Sequence, residues 1–138
     1  MARQLVPAFA YTAVYVKDVA RSVAFYSDAF GYKVRRAPPP STPPGQTTIA
    51  FTPLHQRETD ERTGAVRTPA REGERGPVEV CFDYPDVDAA YKRAVDSGAV
   101  PVSPPEVKEW GQKVGYVRDM DGIVVRMGSH VGDGTSHV

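Results

Sequence analysis

The 138-residue sequence contains no asparagine, one cysteine (Cys81), one tryptophan (Trp110), and only two leucines and two isoleucines. Without Asn there is no N-glycosylation sequon. One Cys excludes an internal disulfide and a multi-cysteine zinc site. No apolar run approaches the length that spans a bilayer, and MARQLVPAFAY lacks the charged-then-apolar order of a secretory signal. Neither sign of charge prevails. The 17 basic and 17 acidic residues cancel, so no electrostatic pull towards nucleic acid or an anionic membrane is expected. These absences lead to the expectation of a cytoplasmic protein of one domain. What abounds is valine, at 20 residues, a supply that favours sheet over a helix bundle.

Residues 9–17 alternate at strand period, with Thr12, Val14 and Val16 on one face and Tyr11, Ala13 and Tyr15 on the other. Asp18 then reads as an N-cap, and Val19, Val23, Tyr26 and Phe30 recur at helical spacing up to Gly31. Short strands are expected over 32–36 and 47–54. The order then returns. Residues 78–84 alternate, Asp86 caps a helix ending at Gly98, and strands follow at 100–102, 113–118 and 123–127, the last two joined by a turn at Asp119–Gly122. Asp18 and Asp86 are 68 positions apart, as are Tyr11 and Glu79. This is an internal repeat, predicting two modules about a pseudo-twofold axis with repeated faces meeting at a cleft. Val14, Val16, Val80 and Phe82 are expected beneath helices, and Phe25, Tyr26 and Phe30 in the core. Two segments interrupt the pattern. Residues 38–44 hold five prolines, and residues 55–76 carry five Arg and five acids, as a solvated linker would.

Three segments resemble the glyoxalase/bleomycin-resistance/dioxygenase (vicinal oxygen chelate) superfamily: YVKDVARSVAFYSDAFGYKV, DVDAAYKRAVDSGAVPV and WGQKVGYVRDMDG. The wording also resembles small single-domain plant members induced by desiccation. The resemblance implies an α+β fold in which two βαβββ modules form a curved mixed sheet around a cleft. Residues 1–138 are then one domain, with module one at about 9–54, the linker at 55–76 and module two at about 77–130. The Pro-rich stretch leaves the first module short of a strand. Ile123 stands where the family usually has Asn after Asp-Gly, which puts that turn in question.

Metal-dependent relatives hold an ion through His and Glu at four strand positions. Here those positions fall on Tyr11, on the strand bearing Thr48, Ala50 and Thr52, on Glu79 and on Arg126. A neutral phenol is a poor ligand and a guanidinium has no lone pair to give, so one usable donor remains and no metal or other cofactor is expected. His55, His130 and His137 lie off these positions. Glu79 and Arg126 are expected to pair across neighbouring strands, either to fill the vacated site or to anchor an acidic or carbonyl-bearing ligand. Tyr11 either donates to that ligand or packs. Trp110, on a loop beside the cleft, either stacks on a flat ligand or seals the core edge. Tyr116 is placed to line the cleft. Cys81 is expected to be a quiet buried thiol.

The favoured function is metal-free binding of a small molecule at Tyr11, Glu79, Trp110, Tyr116 and Arg126, with no catalytic residue assigned. One alternative is a glyoxalase I-like lyase acting on 2-oxoaldehyde–thiol adducts, which needs a Lewis acid as well as a carboxylate base. The other is a stress-related interaction protein with a vestigial cleft. The expected partners are a small-molecule ligand and a second copy of the chain, with no nucleic acid and no membrane.

Overall fold

The computed structural model describes residues 5–34, 48–55, 61–67 and 74–130. The expected Pro-rich 38–44 segment, and with it the question of a missing strand, lies outside these residues, as do half of the linker and His137. The chain divides into two compact units, Met1–Val23 with Lys33–Val66, and Ala24–Tyr32 with Arg67–Val138.

In unit one, β1 (Thr12–Val16) pairs in parallel with β2 (Ile49–Pro53), Thr12 opposite Ile49 and Val16 opposite Pro53. Val16 is fully buried, as its face of the strand requires, while Val14 is half-buried. Helix α1 (Val19–Phe30) begins in this unit. Asp18 caps it: the Arg21 amide donates to Asp18 Oδ1 at 3.0 Å and the Ser22 amide to the Asp18 carbonyl at 2.9 Å. Residues 32–34 carry no regular structure, so the strand expected at 32–36 does not form over its described part. Gly31 adopts φ 74° and ends the helix before a strand can start.

Unit two contains β3 (Val80–Tyr84), α2 (Val87–Asp96), β4 (Val100–Val107), β5 (Lys113–Arg118) and β6 (Val124–Ser129). Its four-stranded sheet has the order β3-β6-β5-β4, with β3 parallel to β6 and the other pairs antiparallel. The cap of α1 recurs on α2, where the Ala89 amide donates to Asp86 Oδ1 at 3.1 Å and the Ala90 amide to the Asp86 carbonyl at 3.1 Å. The repeat read from the sequence therefore reappears as matched capping geometry.

One sheet face is covered by helices. Phe82 stacks with Tyr26, Phe30 and Tyr32 at centroid distances of 6.3, 5.5 and 5.3 Å. A Cβ on Gly115 would come within 3.2 Å of the Tyr91 ring of α2 and 3.1 Å of Pro105, so a side chain there would need its neighbours to give by a few tenths of an ångström. Val87, Ala90 and Ala94 are the buried side of α2. Tyr26 and Phe30 are core, as expected, and Phe25 meets both edge-on. Val78, read with this face, lies before β3 and is exposed. The C-terminal end of α1 is tied down by Tyr84, whose hydroxyl donates to the Phe30 carbonyl at 2.7 Å, and by Arg93 Nε, which donates to the Ala29 carbonyl at 3.3 Å.

Strand β4 runs to Val107, five residues beyond the expected stop at Val102. Proline argues against a central strand, but β4 is an edge, where a missing N–H costs no ladder bond. Pro101, Pro104 and Pro105 are accommodated there with register shifts on both sides of Ser103. The turn before β6 is intact despite Ile123. Asp119 Oδ1 accepts the amides of Asp121 (2.8 Å) and Ile123 (2.9 Å), and the Asp119 amide donates to the Ile123 carbonyl at 2.9 Å.

Candidate functional site

Alternation along β6 sorts its side chains. Val125 and Met127 are fully buried, and Met127 is register partner to Phe82 and Gly115 on the helix-covered face. Arg126 therefore projects from the opposite face. Its partners are Cys81 on β3 and Tyr116 on β5, and Tyr116 pairs in turn with Ser103 on β4. One row across the sheet thus carries a thiol, a guanidinium, a phenol and a hydroxyl.

The β4–β5 loop adds an indole and an amide. It is closed by the Lys108 amide donating to the Gln112 carbonyl and the Gly111 amide to the Lys108 carbonyl, both at 2.8 Å. Trp110, 48% exposed, donates its indole N–H to Gln112 Oε1 at 2.9 Å. Arg126 Nη2 donates to the same oxygen at 3.3 Å, and Gln112 Nε2 donates to the Ser129 carbonyl at 2.9 Å. Gly128 gives this amide its space, for a Cβ there would lie 2.9 Å from Gln112 Nε2. Gln112 lies within WGQKVGYVRDMDG but is not among the site residues expected from the sequence. The available signal was its position two residues after Trp110, inside a hairpin loop tight enough to fold a side chain back.

Glu79 and Arg126 do not pair. Glu79 Oε2 lies 3.6 Å from Arg75 Nη1, and its other oxygen is 3.8 Å from Cys81 Sγ. Among the described residues no carboxylate lies within 4.0 Å of the Arg126 guanidinium. The reason is direction. Glu79 sits just before β3, level with the start of β6, whereas Arg126 reaches towards Gln112 beside Gly128 and Ser129 at the end of β6. An open depression of about 650 Å³ at the start of β3 is lined by Arg75, Gly76, Pro77, Val78, Glu79 and Val124.

Cys81 is exposed rather than buried, because β3 turns it to the uncovered face. Partial burial nevertheless raises its thiol pKa, the Glu79 carboxylate adds to the rise, and the Arg126 cation opposes it. Tyr11, half-exposed, lies just before β1 in unit one. Glu79, Trp110, Tyr116 and Arg126 all belong to unit two, where Gln112 links Trp110 to Arg126 and the strand register sets Tyr116 beside Arg126.

The donor set does not suit a divalent ion. Among the described residues no three of His, Cys, Asp and Glu converge as ligands, and Arg126 is itself a cation with no lone pair to give. His130 stands apart, its Nδ1 3.9 Å from Asp83.

The described residues form an α+β fold with a parallel two-stranded sheet and a mixed four-stranded sheet, neither of them closed into a barrel. The family model described as the Glyoxalase/Bleomycin resistance protein/Dioxygenase superfamily matches residues 8–127, and the chain belongs to that superfamily. Comparison with curated proteins gives no match. Among solved structures, a hypothetical protein from S. aureus aligns at TM-score 0.71 and 20% identity, over 94% of this chain and 98% of its own. A glyoxalase-related enzyme from Fulvimarina pelagi aligns at TM-score 0.68 and 19% identity, over 95% and 96%. A glyoxalase/bleomycin resistance protein/dioxygenase family enzyme from Burkholderia phytofirmans PsJN aligns at 0.69 and 18%, over 91% and 100%. At these identities the likeness is one of fold.

Proposed function

We propose that this chain binds a small molecule carrying a carboxylate or carbonyl group, held by Arg126 on the uncovered face of the unit-two sheet, with no metal ion. The observation that carries the reading is the state of Arg126. It is a half-buried guanidinium whose partner is a neutral amide and which has no carboxylate within 4.0 Å among the described residues. A fork of N–H donors without a counter-charge suits a bidentate acceptor. Trp110 and Tyr116 offer flat walls beside it, and the Pro77–Val78–Val124 side of the depression takes an apolar body. Glu79, just before β3 in the same unit, orients the ligand. The lyase reading would need a Lewis acid, and the donor set does not fit one.

Two copies of the chain are taken to pair, because Val100, Val102 and Val107 of the edge strand β4 are exposed apolar side chains that a second copy would cover. Native mass spectrometry reads the subunit number.

The test of the ligand reading is a thermal-shift screen of small carboxylates and 2-oxo acids on wild type and Arg126→Met. A ligand at 100 times its dissociation constant adds about 2.7 kcal/mol of stability. The expected result is a melting shift in wild type that disappears in the variant. Equal shifts in both proteins would overturn the reading.

A further inference from the structure

Gln112 makes three hydrogen bonds with one amide. Its oxygen accepts from Trp110 Nε1 at 2.9 Å and from Arg126 Nη2 at 3.3 Å, and its nitrogen donates to the Ser129 carbonyl at 2.9 Å. Two of these partners are donors only and the third is an acceptor only, so a single orientation of the amide satisfies all three. The oxygen's two lone pairs are both engaged. The amide is held in place from behind by the Gly128 backbone, where any Cβ would approach it to 2.9 Å. The indole of a loop and the guanidinium of a strand are thereby fastened to one atom.

We propose that Gln112 is the positioning residue of this face: it presets Trp110 and Arg126 for a flat ligand with an anionic edge, and it couples the occupancy of Arg126 to the setting of Trp110. The proposal rests on the reading of Arg126 as a ligand anchor. An anion on a free edge of the guanidinium leaves the Nη2–Gln112 bond in place and pulls on the group that makes it. The shared amide oxygen passes that displacement to the indole, so the loop responds to the strand. A rigid flat body suits the pair because a loop tryptophan and a strand arginine sharing one acceptor have little freedom to separate. The ligand class is therefore an aromatic or conjugated carboxylate rather than a flexible aliphatic one.

Trp110 is the sole tryptophan, so intrinsic fluorescence of the whole chain reads this one indole. The variants are Arg126→Met, Gln112→Met, the double change and Gln112→Glu, each checked for a cooperative melt. The probes are benzoate and, as its flexible counterpart, hexanoate.

In ligand-free protein, Arg126→Met should alter Trp110 emission or acrylamide quenching, and the same change in the Gln112→Met background should add nothing. Trp110 signals that ignore Arg126→Met, or effects that simply add, overturn the coupling whatever the face binds. Gln112→Met should weaken benzoate at least tenfold. Gln112→Glu supplies its own counter-charge to Arg126 and should abolish benzoate binding while keeping an acceptor for the indole. It also stands in if the methionine variant does not fold. Benzoate bound equally by wild type and both Gln112 variants, yet lost in Arg126→Met, would sink the positioning role and leave the anchor standing. Benzoate binding unaffected by Arg126→Met would sink the anchor itself. Hexanoate binding as tightly as benzoate would overturn the flat-ligand class.

Discussion

The Tyr26 hydroxyl donates to Asp119 Oδ2 at 2.7 Å across 93 positions of sequence, and both side chains are buried. The bond joins the helix α1 to the turn that launches β6. Asp119 also accepts two amides of that turn, so one carboxylate organises a hairpin and receives a helix. The DMDG segment therefore has an architectural task. Burial raises the pKa of Asp119 despite these hydrogen bonds, and it raises that of Tyr26 as well.

Tyr26→Phe removes one of three donors to a buried carboxylate. The expected loss is about 1–3 kcal/mol in denaturant melts. A raised folded-state pKa means the native state holds its proton longer than the unfolded chain does. The contribution of Asp119 is thus full below its unfolded value near 3.8 and is lost as pH rises through the folded pKa. Tyr26→Phe removes an interaction that lowers this pKa, so its acid window of falling stability should reach to higher pH than in wild type. Melts from pH 3 to 7 that run parallel in the two proteins would contradict the assignment.

Gly31→Ala should destabilise by about 1–2 kcal/mol, since a left-handed backbone disfavours any Cβ. Its φ is 74°, and the added methyl would fall 2.6 Å from Arg93 Nη2. The guanidinium would have to leave the end of α1. Arg93→Met alone should cost about 0.5–1.5 kcal/mol. Combining it with Gly31→Ala should cost less than the sum, as a shared partner requires. Additive losses in a double-mutant cycle would show that the two do not communicate.

Cys81 serves as a native reporter of the uncovered face. Its thiol pKa is raised by burial first and by Glu79 next, and lowered by Arg126. Glu79→Gln should therefore speed alkylation by iodoacetamide near neutral pH, and Arg126→Met should slow it. Rate–pH profiles for the three proteins give the order directly. A reversed order would place the charges elsewhere.

Stability should not depend on a divalent ion, because the donors among the described residues offer none a tetrahedral or octahedral shell. Melting midpoints with and without EDTA should agree, and added zinc or nickel should not raise them. A chelator-sensitive midpoint would require ligands that the present assignment lacks.

Much of the fold was legible because it rests on local rules. Asp18 and Asp86 announce helix starts, and strand alternation sorts Val125, Arg126 and Met127 correctly between faces. Side-chain destinations were less legible. Strand spacing put Glu79 and Arg126 on one face, but a long side chain chooses its direction along the strand, and Arg126 turned to Gln112. Cys81 is exposed against expectation because alternation reveals a residue's strand face but not what covers that face. The prolines of β4 misled for a related reason, since only the strand order reveals an edge.

Three of the eight residues of β4 are prolines and three are valines. A valine-rich edge is the kind of surface on which foreign strands nucleate and fibrils lengthen. Pro101, Pro104 and Pro105 have no amide hydrogen to extend a ladder, and the register shifts between them spoil its regular spacing. Copies of this chain that meet along β4 then do so through side chains more readily than by continuing the sheet. The same residues that hid the strand from a reader of the sequence hide its backbone from other chains.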